Sequence, residues 1–106
     1  MNKLVIFTLF SLTMTLFHAQ SSEYRLLIGT YTSNGKSEGI YSYKINVEKG
    51  IFQKQSVAKD MKNPSFLALT AEKKYLYAVG ESDKAGSAGA FAFNAKDATF
   101  RFINSS

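Results

Sequence analysis

The chain has 106 residues, 13 basic and 8 acidic side chains, a formal charge of +5, no cysteine and one histidine, His18. No disulfide framework, thiolate nucleophile or cysteine-based zinc site can form. Beyond His18 there is no imidazole for a serine–histidine pair or a histidine metal cluster. The lysines from Lys36 to Lys96 are interleaved with Glu38, Glu48, Asp60, Glu72, Asp83 and Asp97. A nucleic-acid binder would gather its basic residues on one face; these read as solubilising charge at turns and strand edges.

The first twenty residues stand apart. Met1-Asn2-Lys3 is a short positive start, Leu4 to Phe17 is apolar, and His18 to Ser22 turns small and polar. That is the layout of a secretory signal peptide over residues 1–20. The apolar run is shorter than the roughly 20 residues a spanning helix needs. Ser21 with Ala19 before it fits the small-x-small cleavage rule. Without cysteine a lipid-anchored start is excluded. The expectation is export, periplasmic or secreted, with no stable membrane anchor.

From Glu23 onward the hydrophobic period is two. Strands are predicted at 24–31, 39–47, 51–58, 66–71, 75–81, 88–95 and 99–104, each bounded by Gly, Asn, Asp, Ser or Lys. "VEKG" before Ile51, "TAEKK" before Tyr75 and "AKDA" before Thr99 read as turns. Pro64, the one proline, predicts an extended Asn63 and the start of a new strand run. No helix is expected after the signal.

A shift of fifty residues superposes the chain on itself. Leu26 falls on Leu76, Gly39 on Gly89, Tyr41 on Phe91, Tyr43 on Phe93 and Phe52 on Phe102, without a gap. Each aromatic-x-aromatic pair places both rings on one side of a strand. There they can fill the space between stacked sheets, and Phe91 and Phe93 are expected to be buried. A period near fifty with four strands is a propeller blade. Residues 66–104 supply one complete blade, and 24–58 supply three strands of the closing blade, whose first strand is missing. Fewer than two blades cannot close a ring, and each leaves an apolar face for a neighbour. The expectation is that 24–106 form the N-terminal part of a longer propeller, whose remaining blades cover these faces.

Two stretches carry a resemblance. "LLIGTYTSNGKSEGIYSYKINVEKG" (Leu26 to Gly50) and "NPSFLALTAEKKYLYAVGE" (Asn63 to Glu81), followed by "GAFAFNAK", resemble the lactonase-type seven-bladed propellers. That group includes 6-phosphogluconolactonases and carboxymuconate cyclases. The resemblance implies an all-β fold, a lactone or sugar acid as small-molecule partner, no cofactor and a catalytic role for Glu81. The family usually has Asn before this Glu. Here it is Gly80, which removes an amide that could hold the carboxylate. The family's catalytic His and Arg lie in later blades, and nothing here matches them.

Lactone hydrolysis needs a nucleophile, a base to deprotonate it and donors for the developing oxyanion. Glu81 ends a strongly apolar strand, where it can act as that base or bind substrate hydroxyls. Its plain alternative is a solvated strand end. At offset fifty Glu81 falls on Tyr31, so both are expected to line one mouth. Tyr31 is thus a candidate for substrate binding, with packing as its alternative. "TSNGKSEG" (Thr32 to Gly39) and "SDKAGSAG" (Ser82 to Gly89) lack the phosphate-loop order, and no helix follows them. They read as rim loops, with Lys36 and Lys84 exposed. No metal site is read from these residues. The expected function is an exported lactone hydrolase that opens a sugar-acid lactone by water attack. Because 6-phosphogluconolactone is an intracellular metabolite, an exported enzyme is expected to meet a different lactone. The alternatives are a non-catalytic propeller binding module and a lactone-forming cyclase. The 106 residues alone are expected to be inactive.

Overall fold

The computed structural model describes residues 22–82 and 84–106. The signal expected over 1–20 lies outside the described residues. Seven strands follow in chain order: β1 (Glu23–Ile28), β2 (Ile40–Asn46), β3 (Ile51–Ala58), β4 (Pro64–Leu69), β5 (Tyr75–Gly80), β6 (Ser87–Asn94) and β7 (Thr99–Ser105). They form two antiparallel meanders, β1-β2-β3 and β4-β5-β6-β7. No helix occurs among the described residues. The predicted three-strand and four-strand units are both present.

The turns use the chemistry their residues allow. Asn46 Oδ1 accepts from the Lys49 N–H at 2.9 Å. Asn94 Oδ1 accepts from Lys96 N–H at 2.9 Å, and Asp97 Oδ1 from Thr99 N–H at 3.2 Å. Short polar side chains of this kind bond to backbone a few residues on and so close tight turns. In the β4–β5 turn the Lys73 N–H donates to Thr70 O at 2.8 Å.

Strand alternation decides what lies between the sheets. Leu27, Ile40, Ser42 and Ala58 of the first sheet meet Leu76, Ala78 and Phe91 of the second, with Phe100 and Phe102 packed alongside. Phe91 is fully buried and Phe93 is nearly so, on one face as expected. The Phe91 ring meets Phe102 edge-on at 5.3 Å between centroids, and Phe93 meets Phe100 at 5.2 Å. Arg25 closes one end of this interface. Its guanidinium lies over Phe93 at 5.6 Å and donates to Ala95 O at 2.6 Å.

Tyr41 and Tyr43 pair with Ile28 and Leu26 on the opposite face of the first sheet. Tyr24, Leu26, Ile28 and Phe52 are exposed there. The far face of the second sheet exposes Phe66, Tyr75, Tyr77 and Val79. Both sheets therefore point their aromatic pair the same way, and only the second has a sheet to receive it.

At the other end the chain leaves β1 through Gly29, where a Cβ would collide with the Pro64 carbonyl. Glycine lets the exit of β1 run against the start of β4. This close approach brings residues 30–33 onto the rim formed by 63–65 and 80–81.

Candidate active site

Because β4 and β5 are antiparallel, the start of one lies beside the end of the other, and Pro64 pairs with Gly80. Three segments meet on this rim: Thr30 to Ser33 after β1, Asn63 to Ser65 at the start of β4, and Glu81 after β5. Tyr31 Oη donates to Glu81 Oε2 at 2.6 Å. Ser65 Oγ donates to the same oxygen. Among the described residues Oε1 has no partner. The two residues fifty apart thus meet directly, with Tyr31 contributed by one sheet and Glu81 by the next.

These contacts set the ionisation of the pair. The Ser65 hydroxyl, and then the Tyr31 hydroxyl, hold the Glu81 carboxyl below the usual glutamate range. Hydrogen bonds to a charged form favour that form. The same bond to Glu81, together with its negative charge, raises the Tyr31 phenol. Tyr31 therefore stays protonated, and Glu81 ionised, across neutral pH.

Asn63 joins the segments and is only 6% exposed. Its Oδ1 accepts from the Thr32 N–H at 2.7 Å and the Ser33 N–H at 3.0 Å. Its Nδ2 donates to Glu81 O at 2.6 Å and Ser33 Oγ at 2.8 Å. Its carbonyl accepts from the Glu81 N–H at 3.0 Å. The expectation of an extended Asn63 is corrected: its φ is +48. Asn tolerates this left-handed conformation better than most residues, and its filled amide holds it there.

Gly80, where the resemblance expects an amide that could hold the carboxylate, has no room for a side chain on that face. Gly80 lies on the buried face with Leu76 and Ala78. A Cβ there would meet Ser87 Oγ at 2.5 Å and Lys62 O at 2.9 Å. A side chain at 80 would point into the sheet stack, whereas Ser65 and Tyr31 hold Glu81 from the rim. Local sequence pattern does not single out Ser65, Asn63, Thr32 or Ser33. The available signal is the Asn63-Pro64-Ser65 opening of the second resembling stretch.

A cleft of about 740 Å³ opens at the opposite rim and is lined by Glu72, Lys73, Lys74, Phe93, Lys96 and Arg101 among others. It is a shallow groove over the β4–β5 and β6–β7 turns, and neither Glu81 nor Tyr31 lines it. At the Glu81 rim, by contrast, two hydroxyls converge on one carboxylate and shift its ionisation. Among the described residues no three His, Cys, Asp or Glu side chains converge where a metal could be held.

Antiparallel meanders of up to four strands, stacked face to face with a polar rim, are the units of a β-propeller. A sequence profile of the family described as "Lactonase, 7-bladed beta-propeller" matches residues 25–106, and the chain belongs to that family. It is 31% identical over 77 residues to the 6-phosphogluconolactonase of Bacillus subtilis (strain 168), covering 73% of this chain and 22% of that protein. A crystal structure from Bacteroides fragilis, provisionally assigned as a 6-phosphogluconolactonase, superposes with a TM-score of 0.74 at 39% identity. That match covers 82% of this chain and 24% of the other. The periplasmic gluconolactonase of Pseudomonas aeruginosa superposes with a TM-score of 0.69 at 32% identity, covering 79% and 24%. The chain thus spans about a quarter of the length of these relatives.

Proposed function

We propose that the complete protein is an exported lactone hydrolase that opens a sugar-acid lactone by water attack, with Glu81 in its site. The observation that carries this reading is the Glu81 carboxylate, gripped on one oxygen by hydroxyls from two adjacent sheets. Relatives named as a 6-phosphogluconolactonase and a periplasmic gluconolactonase support the substrate class. The periplasmic relative and the layout of residues 1–20 support export. The activity belongs to the whole ring, and the 106 residues alone are inactive.

Water adds to the ester carbonyl, the ring C–O bond breaks, and the alkoxide leaving group takes a proton to give the hydroxy acid. A general base works best with a pKa near the operating pH. Glu81 is held below the usual glutamate range by Ser65 and Tyr31, so it is a weak base at neutral pH. Its open Oε1 is suited to accept a hydrogen bond from the attacking water or from a sugar hydroxyl.

The test is lactone opening by the complete protein, followed with a pH-stat on glucono-δ-lactone. Wild type accelerates opening. Glu81→Gln raises KM by about 10–100-fold with kcat largely kept, the loss of one charge-assisted hydrogen bond. A fall in kcat of about 10²–10⁴-fold at unchanged KM would instead make Glu81 the base. A wild-type protein that opens no lactone would leave the binding-module reading in its place. Export is checked by N-terminal sequencing of the mature protein, and an intact Met1 would contradict it.

A further inference from the structure

We propose that Asn63 is a positioning residue that clamps Glu81 to the neighbouring sheet and so sets where the Glu81 carboxylate points. Its side chain bridges two segments: Oδ1 holds the loop after β1, and Nδ2 reaches both that loop and Glu81. The Oδ1 arm takes the backbone N–H groups of Thr32 and Ser33, together with their hydroxyls at 3.3 and 3.0 Å. The Nδ2 arm donates to Glu81 O and to Ser33 Oγ. The backbone of Asn63 repeats the bridge. Its N–H donates to Thr32 Oγ1 at 3.1 Å, and its carbonyl accepts from the Glu81 N–H. An amide that merely closed a loop would need one arm.

The clamp has a defined target. Thr32 adjoins Tyr31, whose hydroxyl reaches Glu81 Oε2. Asn63 therefore fixes both backbones that carry the Tyr31–Glu81 bond, and with them the register of one blade against the next at this rim. Ser65 lies two residues along the same strand and grips the same oxygen. Buried polar groups with all their partners in place specify a single arrangement. The amide of Asn63 is filled on both its oxygen and its nitrogen. Among the described residues the titratable neighbour of Glu81 is Tyr31, so the carboxylate reports directly on this register.

The inference rests on reading Glu81 as part of the site, and its test does not need turnover. In the complete protein, Asn63→Gly keeps a left-handed φ at little strain and removes the amide together with its Cβ. The readout is the titration of glutamate carboxyl carbons by NMR, with the Glu81 signal assigned through Glu81→Gln. Glu38 serves as internal control, because Lys59 holds its carboxyl low independently, 3.0 Å away. In Asn63→Gly the Glu81 carboxyl rises toward the usual glutamate range while Glu38 stays low. If Asn63→Gly does not fold, Thr32→Val keeps the amide and loses the hydroxyl, and it moves Glu81 in the same direction by less. Glu81 and Glu38 both unmoved in the variant that folds would overturn the proposal. Where wild type opens lactone, Asn63→Gly raises KM about 10-fold, and that rise vanishes on a Glu81→Gln background. An additive rise would also overturn it. A wild type that opens no lactone counts against the lactonase reading alone, and the titration then decides the clamp.

Discussion

Phe91 and Tyr41 occupy the same place in the fifty-residue repeat, yet Phe91 is fully buried and Tyr41 only partly so. Both rings leave their strands in the same direction. Phe91 meets Leu76 across its own sheet and the β1–β3 sheet in front of it. Tyr41 points away from the β4–β7 sheet and keeps its ring beside Tyr43, at 6.2 Å between centroids. Burial in a stacked repeat thus depends on the neighbour as much as on the residue. An exposed aromatic on such a face marks a packing surface, and the polar rim is the place to look for chemistry.

Substitution at these two places in the complete protein separates their roles. Phe91→Ala should cost about 3–5 kcal/mol, the range for a large buried ring, read from urea unfolding. Tyr41→Ala should cost about 3 kcal/mol if a neighbouring blade covers it. A cost within about 0.5 kcal/mol would mean that Tyr41 faces solvent and that the two places are not equivalent. Gly29→Ala sharpens the contact between sheets at the rim. Its Cβ would strike the Pro64 carbonyl and lie 3.3 Å from Leu67 Cγ. The expected loss is about 1–3 kcal/mol.

The fifty-residue repeat makes the strands legible in the sequence. The seven runs lie within a few residues of the observed strands, because alternation and turn residues act locally. The pairing of Tyr31 with Glu81 is also within reach, since stacked repeats bring equivalent positions together. What local pattern cannot reveal is the set of contacts between sheets. Ser65 looks like any strand residue until Glu81 is placed beside it. Asn63 departs from the rule that the residue before a proline is extended, because its left-handed φ is held by partners some thirty residues away. Gly80 departs from its expected role for a related reason. Its meaning depends on Met61, Lys62 and Ser87 packing over it, not on its neighbour in sequence.

Smaller effects concern pH. Glu81 is depressed in the folded state, so its contribution to stability is present above its unfolded pKa and is lost as pH falls through the folded value. If ionised Glu81 is required, the acid limb of kcat/KM lies below the usual glutamate range. Ser65→Ala should move that limb upward, since the Ser65 bond is the larger cause of the depression. Tyr31→Phe should move it less. A limb that ignores both substitutions would separate Glu81 from the activity. The smallest effect is expected at Ser42, whose buried hydroxyl has no hydrogen-bond partner among the described residues. Ser42→Ala should be neutral or stabilising by about 1 kcal/mol, read from thermal unfolding.

On the proposed function, two adjacent blades hold Oε2 of Glu81 and leave Oε1 for the substrate. A crystal structure of the complete protein with a sugar-acid product bound tests it most directly. Oε2 is expected to stay on Tyr31 and Ser65, and Oε1 to lie within about 3.2 Å of a ligand oxygen. A ligand seated elsewhere in the ring, with Glu81 turned to open solvent, would contradict it.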